Sequence, residues 1–178
     1  MPKAFTSLNR ARPRAIGTVL GAVVLSGLYA NPGVGQATIP EVATDDQAVV
    51  LKASDLGSVL SRLLDEQISS QRLLEGRDVF SVTMLNRTAP TATIHGTLSD
   101  LYVIQDGSAT LVTGGSLVDP RPASRPGDQQ GRSIRGGAAQ IVREGDVVFI
   151  PPGVVHGFRD LGDSRSITYL NIHFPWRE

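Results

Sequence analysis

The spacing of hydrophobic residues changes once along the chain, close to residue 79. Before that point they recur at helical intervals, at Leu56, Val59, Leu60, Leu63, Leu64 and Ile68. This stripe predicts one amphipathic helix of about four turns whose apolar face packs on the core. After residue 79, apolar and polar residues alternate in short runs separated by turn residues. The period of two predicts about eight to ten short antiparallel strands, and therefore an all-β barrel.

Several segments refine this pattern. Val147–Ile150 is a run of four apolar residues between Gly-Asp and Pro-Pro-Gly, which predicts a short, well-buried strand followed by a rigid corner. The Gln-Asp-Gly sequence at residues 105–107 predicts a hairpin that leads into a strand over residues 109–113. A further strand is expected over residues 48–51. The proline- and glycine-rich residues 119–137 predict a surface loop, with a lid over a site as the alternative.

The amino terminus has the three parts of a secretory signal peptide. Four basic residues and no acidic residue precede the apolar run over residues 15–28. Small residues at Gly35 and Ala37 then fit the −3 and −1 positions of a cleavage site. We therefore expect residues 1–37 to be removed and the mature protein to be secreted or periplasmic. An uncleaved membrane anchor and a disordered tail are the alternatives.

Length, charge and cysteine content narrow the classes of function. The 178 residues suit one domain, which we divide into the signal peptide, a lead-in with the helix over residues 38–78, and a barrel over residues 79–178. Cleavage removes four basic residues and leaves a formal charge of −4, which argues against nucleic-acid binding. No stable membrane span is expected after cleavage. The absence of cysteine excludes disulfides, thiolate ligands and a nucleophilic cysteine.

Three histidines, His95, His156 and His173, are the main candidates for metal or acid–base chemistry. Asp100 follows His95 by five residues, so a tight hairpin between their strands would bring the imidazole and the carboxylate together. His156 lies just beyond the Pro-Pro-Gly corner, which restricts its direction of approach. Two histidines and one carboxylate form a facial metal site with open positions. Nitrogen and oxygen ligands without sulfur suit divalent Fe, Mn, Ni, Co or Zn.

The segment from Gly145 to Asp160 resembles the second conserved motif of the cupin superfamily. That motif is glycine, five residues, proline, one residue, glycine, two residues, histidine, three residues and asparagine. Pro151, Gly153 and His156 match it in type and spacing, and Asp160 takes the place of the asparagine.

The first cupin motif is a His-x-His pair followed by a glutamate and a glycine, and the chain matches it less completely. His95 takes the place of the second histidine, Asp100 that of the glutamate and Gly107 that of the glycine. Thr93 occupies the place of the first histidine.

The resemblance implies a cupin-type double-stranded β-barrel, or jelly roll, with the short amino-terminal helix outside the two motifs. It implies one divalent metal ion near the barrel axis, held by His95, Asp100 and His156. It also implies a small-molecule ligand or substrate, and a homodimer as the expected assembly.

The leading hypothesis is an exported metal-dependent enzyme that acts on a small polar molecule by oxygenase or lyase/isomerase chemistry. Tyr102, on the same strand face as Asp100, and His173, on the last strand, are candidate catalytic residues that relay a proton. Core packing is the alternative for Tyr102, and a replacement metal ligand or a structural role is the alternative for His173. The alternative function is a non-catalytic small-ligand-binding module of the cell envelope. A third hypothesis, a structural domain held by dimerisation, predicts a barrel interior filled by side chains.

Overall fold

The computed structural model describes residues 48–77 and 80–176. The predicted signal peptide, residues 1–37, and the predicted boundary at residue 79 lie outside these ranges. The described residues form one helix and twelve strands. In chain order they are α1 (Ala53–Asp65), β1 (Ser70–Glu75), β2 (Ser81–Arg87), β3 (Thr93–Ile94), β4 (Leu98–Thr113), β5 (Ser116–Val118), β6 (Arg121–Pro122), β7 (Gln129–Gln130), β8 (Ser133–Arg135), β9 (Ala138–Arg143), β10 (Val147–Ile150), β11 (His156–Leu161) and β12 (Ile167–Pro175).

Ten of the strands form two sheets that share β4 and enclose one interior. The order in the first sheet is β1-β2-β12-β4-β10, and the order in the second is β6-β7-β3-β11-β4-β9. Every one of these pairs is antiparallel. β5 and β8 pair separately. The predicted all-β fold, a double-stranded β-barrel with a short helix before it, is therefore confirmed.

β4 is a single strand at the place where the sequence predicts a hairpin. The predicted turn at residues 105–107 is wrong, because β4 runs through it without reversing for 16 residues. Gly107 has a φ of +79°, and the register with β12 shifts nearby, so the strand bends. Before the bend β4 pairs with β12 and β10, and after it with β11 and β9. Both halves thus satisfy their backbone hydrogen bonds on both sides, which favours one bent strand over two.

Two groups of buried apolar side chains fill the fold. α1 packs Val59 and Leu63 against β1 and β2, as its apolar stripe predicts. The second group lies inside the barrel, with aromatic rings at its centre. The predicted strand over residues 48–51 is wrong, since these residues form no strand and instead place Val49 and Leu51 beside the α1 group. Within residues 48–77 and 80–176, no helix has both the length and the apolar character of a membrane span.

The predicted strand over Val147–Ile150 is present as β10, but it is an edge strand and is less buried than predicted. Its partner among the described strands is β4, on one side. Alternate residues therefore face outward, and Val147 and Phe149 expose 62% and 46% of their surface. Phe149 lies beside Phe174 and Trp176, with ring centroids 6.3 and 5.6 Å away. Val148 and Ile150 therefore face the core, whereas Val147 and Phe149 form an apolar outer surface.

Residues 119–137, predicted to be a surface loop, are largely exposed but contain three short strands, β6, β7 and β8. β7 pairs with β6 and with β3, which joins this segment to the second sheet. Asp128, directly before β7, is only 5% exposed. The segment therefore brings one buried carboxylate to the barrel.

Candidate metal centre

Three chain segments bring His95, Asp100 and His156 together in the barrel interior. His95 follows β3, Asp100 lies in the first half of β4, and His156 begins β11. The predicted hairpin between the His95 and Asp100 strands is wrong, because the partners of β3 among the described strands are β11 and β7. Instead, the backbone N–H of Gly153, in the Pro-Pro-Gly corner, donates to the His95 carbonyl at 2.7 Å. This hydrogen bond joins the segments that carry the two motifs.

The donor atoms of these three side chains have the spacing of metal ligands. Nε2 of His95 lies 3.8 Å, and Nε2 of His156 3.6 Å, from Oδ2 of Asp100. One donor atom from each residue lies within 4.8 Å of the other two. Metal–ligand bonds of about 2.1 Å place tetrahedral neighbours about 3.4 Å apart, close to the observed separations.

Two of these atoms lack a hydrogen-bond partner within the protein. Oδ2 of Asp100 and Nε2 of His156 are buried and unpaired, whereas Oδ1 of Asp100 lies 2.7 Å from Nε2 of His173. Buried lone pairs of this kind are costly unless a proton or a cation satisfies them. The residues present therefore fit one divalent metal ion.

Hydrogen bonds at the Nδ1 atoms leave Nε2 of both imidazoles free to face Asp100. The Nδ1–H of His95 donates to Oδ2 of Asp128 at 2.6 Å, and that of His156 donates to the Val154 carbonyl at 2.9 Å. With the proton on Nδ1, the Nε2 lone pair is available to a cation. Burial lowers the pKa of His156 below its ordinary 6.5, which favours the neutral form that a ligand needs.

Asp100 supplies the negative charge of the site. Burial alone would raise the pKa of this carboxyl, but the hydrogen bond from His173 and the nearby charges of His156, His95 and His173 outweigh it and lower the pKa. Asp100 is therefore ionised at neutral pH although its side chain is only 1% exposed. An ionised, buried carboxylate is a natural counter-charge for a metal ion.

His173 approaches the site from β12. It is the cross-strand partner of Asp100, and its Nε2 lies 2.7 Å from Oδ1 of that residue. The same nitrogen lies 3.0 Å from Nδ2 of Asn171. One ring nitrogen cannot donate to Asp100 and accept from Asn171 at once, so it has two states. With its hydrogen, Nε2 donates to the carboxylate of Asp100; without it, Nε2 accepts from the amide of Asn171.

Tyr102 lies on the face of β4 that carries Asp100, and its ring centroid is 6.1 Å from that of His156. Burial raises the pKa of Tyr102 well above its usual range, and the nearby Tyr169 and Asp100 raise it further. The phenol therefore keeps its proton at neutral pH and can act as a donor. Tyr102 both lines the cavity and packs in the aromatic group, so its position suits either predicted role.

Thr93, at the place of the first cupin histidine, faces the same cavity but is not in the group of three ligands. It is the cross-strand partner of His156. Its hydroxyl donates to the Gln129 carbonyl at 3.1 Å, so its hydrogen is directed to the backbone of β7. The group of candidate ligands therefore comprises two histidines and one aspartate, with His173 next to it.

A cavity of about 520 Å³ opens onto these residues, and His95, His156, His173 and Tyr102 line it. Its volume lies within the range of small-molecule sites. The hypothesis of a structural domain with a filled barrel interior is therefore wrong.

Two residues of the cavity region are absent from the sequence-based candidates. Asp128 lies 33 residues from His95 in a segment without periodicity, so nothing in the sequence connects the two. Arg87 ends β2 and lines the cavity together with Ser81, Thr83 and Leu85. The alternation of residues along β2 could have indicated that Arg87 faces the cavity. It is misleading because the more polar face of β2 lines the cavity, whereas its apolar face packs against α1.

No protein-family model and no curated protein matches the chain. Among solved structures, a Klebsiella pneumoniae protein with a double-stranded β-helix domain is similar at 18% identity and a TM-score of 0.43, covering 59% of this chain and 74% of its own. The DMSP lyase DddQ from Ruegeria pomeroyi is similar at 15% identity and a TM-score of 0.45, covering 78% and 68%. The hydroquinone 1,2-dioxygenase PnpCD, in complex with Cd²⁺ and 4-hydroxybenzonitrile, is similar at 14% identity and a TM-score of 0.40, covering 55% and 58%.

Proposed function

We propose that this cupin-fold protein is a metal-dependent enzyme that acts on a small polar molecule in the barrel cavity. His95, Asp100 and His156 would hold one divalent ion. The observation that carries the proposal is the convergence of their donor atoms, of which Oδ2 of Asp100 and Nε2 of His156 are buried without a hydrogen-bond partner. A purely structural core does not leave such atoms unsatisfied beside an open cavity.

A divalent ion bound here would act as a Lewis acid that polarises a substrate oxygen and lowers the pKa of water. The chain itself contributes orientation and proton transfer. Asp128 and the Val154 carbonyl hold the two imidazoles in one tautomer. His173 is the proposed proton relay, because its Nε2 has two alternative partners, Asp100 and Asn171. Tyr102 is the proposed second proton relay, because its side chain lines the cavity next to His156.

Metal analysis of the purified protein tests the proposal. Protein produced in medium supplemented with Fe, Mn, Co, Ni and Zn should retain close to one equivalent of one of these ions. His156→Ala should abolish retention because it removes one of three ligands. Gln140→Ala, at an exposed position of β9, is the control and should retain metal like the wild type.

Two results would contradict the enzyme proposal as stated. One is a wild-type metal content below about a tenth of an equivalent. The other is a metal content that His156→Ala leaves unchanged, which would exclude the proposed ligand set. If metal is retained, oxygen consumption by the loaded protein in a screen of small polar compounds separates oxygenase from lyase or isomerase chemistry.

The second candidate function is a non-catalytic small-ligand-binding module, and Thr93 is the observation that favours it. Thr93 stands at the position of a fourth ligand, but its hydroxyl donates to the Gln129 carbonyl. The site therefore offers fewer strong ligands to a metal ion. This function predicts saturable binding of a small molecule by protein that retains no metal. Ligand binding that survives complete removal of metal, with no turnover in either state, would support it.

We further propose that the protein is exported, on the basis of the basic, apolar and small-residue segments within residues 1–37. Expression of the full chain in a bacterial host should yield a mature protein that begins at Thr38. Intact-mass and amino-terminal sequence measurements on the fractionated cells check this. A chain that keeps Met1 and stays in the cytoplasm would refute export.

A further inference from the structure

Arg87, the last residue of β2, lines the cavity that contains the candidate metal centre. Its Nε is buried and has no hydrogen-bond partner. Its guanidinium group lies close enough to the Tyr169 side chain to act on it, because Arg87 opposes the rise in the pKa of Tyr169 that burial causes. A buried or half-buried guanidinium normally satisfies its donors with a carboxylate or carbonyls, because desolvated charge is costly.

The charge of the cavity lining is one-sided. Three arginines, Arg72, Arg87 and Arg125, line the cavity, and no aspartate or glutamate does so within the described residues. Arg72 already has a counter-charge, since its Nη1 lies 2.9 Å from Oε2 of Glu75. Arg87 forms no salt bridge with any acidic residue in the part of the chain that the structure describes. An anionic ligand would supply the missing counter-charge.

A series of neighbouring aromatic rings lines the cavity from Tyr169, near Arg87, to His156. The ring centroid of Tyr169, the residue near Arg87, lies 4.6 Å from that of Tyr102. The ring centroid of Tyr102 lies 6.1 Å from that of His156. The ring of Phe158 lies 5.2 Å from that of Tyr169. A ligand that contacts both Arg87 and His156 therefore has to pass two tyrosine rings, which suits an apolar or aromatic spacer.

We propose that Arg87 is the carboxylate-binding group of this cavity and that its ligand is a small organic carboxylate with an apolar spacer. The planar guanidinium matches the two oxygens of a carboxylate and pairs with them more strongly than with a neutral amide. The carboxylate binds at Arg87, and the other end of the molecule points to His95, Asp100 and His156. This proposal rests on the proposed function in taking the same cavity as the substrate site.

Paired probes test the charge requirement. Acetate, hexanoate and benzoate are titrated against acetamide, hexanamide and benzamide, with metal-free wild-type protein and binding followed by NMR chemical shifts. The metal-free protein is used because a carboxylate can also bind a metal directly. We expect at least one of the two larger acids to bind about ten-fold or more tightly than its amide. Acetate, which has no spacer, should bind more weakly than either.

Variants then assign the charge requirement to Arg87. Arg87→Gln should remove the preference for the acid over the amide, and Arg87→Lys should keep part of it because the charge remains without the planar fork. Arg72→Gln is the matched control, since it removes an arginine of the same cavity that already has a partner, and it should keep the preference. Circular dichroism of each variant shows that it is folded.

Three results would overturn the proposal: equal binding of acids and amides by the wild type, an unchanged preference in folded Arg87→Gln, or an equal loss in Arg72→Gln. The last result would mean general attraction by positive charge. Metal content measured on separately loaded samples keeps the two proposals distinct. An acid preference without metal retention refutes the enzyme proposal alone, and metal retention without an acid preference refutes the role of Arg87 alone.

Discussion

Asp128 acts on the candidate metal centre through His95. Its Oδ2 accepts the Nδ1–H of His95 at 2.6 Å, while its Oδ1 accepts the backbone N–H of Gly96 at 3.1 Å. The backbone next to His95 therefore holds the same carboxylate that orients the His95 ring. A buried carboxylate behind a ligating imidazole sets the tautomer and increases the basicity of the nitrogen that faces the metal.

Asp128→Asn should weaken metal binding by about ten- to a hundred-fold, because a neutral amide holds the imidazole less firmly. Competition with a chromophoric chelator measures the affinity for Zn²⁺ or Co²⁺. Asp119→Asn is the control, since Asp119 lies in the same segment but is 69% exposed and pairs with Arg132. Equal affinities for Asp128→Asn and the wild type would show that His95 needs no orienting carboxylate.

Asp160 shows that a departure from a motif can preserve its physical requirement. This residue, which stands where the cupin motif has asparagine, has a φ of +49°, and the register between β11 and β4 shifts around it. Aspartate and asparagine tolerate this left-handed conformation better than other non-glycine residues. The backbone of β11 therefore keeps the irregularity that follows His156 by four residues.

At the scale of elements, the bend in β4 depends on Gly107. Its φ of +79° is unfavourable for other residues, and a Cβ added there would lie 2.3 Å from the Ser166 carbonyl oxygen. Both backbone strain and a steric clash with neighbouring backbone thus oppose any side chain.

Gly107→Ala should lower the free energy of unfolding by at least about 2 kcal/mol, measured by urea denaturation. Gly114→Ala provides the comparison, because Gly114 has a similar φ of +77° but nothing within 4 Å of an added Cβ. We expect that variant to lose about 1 kcal/mol, from the backbone term alone. The same loss in both variants would mean that the contact with Ser166 relaxes without cost.

The sequence predicts the elements of this fold better than their connections. The alternation of apolar residues predicts the strands, and spacing with motif resemblance identifies His95, Asp100 and His156. The same Gln-Asp-Gly signal suits either a hairpin or a bend, and long-range pairing of β4 decides between them. Asp128 lies beyond the reach of local pattern, because the loop that carries it meets His95 only after β7 pairs with β3. Arg87 is hidden by the assumption that the apolar face of a strand points inward.

At the scale of the whole molecule, the outer surface of β10 is the feature that a single chain leaves unexplained. Phe149 and Trp176 expose 46% and 52% of their surface and lie beside each other at an edge strand. Exposed apolar side chains at a strand edge favour association with another chain. This surface supports the prediction of a homodimer.

Phe149→Ser should shift the protein from dimer to monomer at micromolar concentration, as measured by sedimentation velocity. The loss of apolar contact area on both subunits is the reason. Val50→Ser is the control, because Val50 is 70% exposed in the segment before α1 and should leave the assembly unchanged. A wild-type protein that sediments as a monomer would refute the prediction.

The sharing of β4 by the two sheets also determines which side of the barrel can open. Asp100 lies in one half of this strand, and Thr113 in the other half is the cross-strand partner of His156. The sheets are thus covalently continuous next to the site, whereas β1 and β6 end them on the far side without pairing to each other. Any widening of the molecule should hinge at β4 and open between those edges, past Arg72 and Arg125. Such an opening would leave Asp100 and His156, which lie in β4 and beside it, nearly fixed relative to each other.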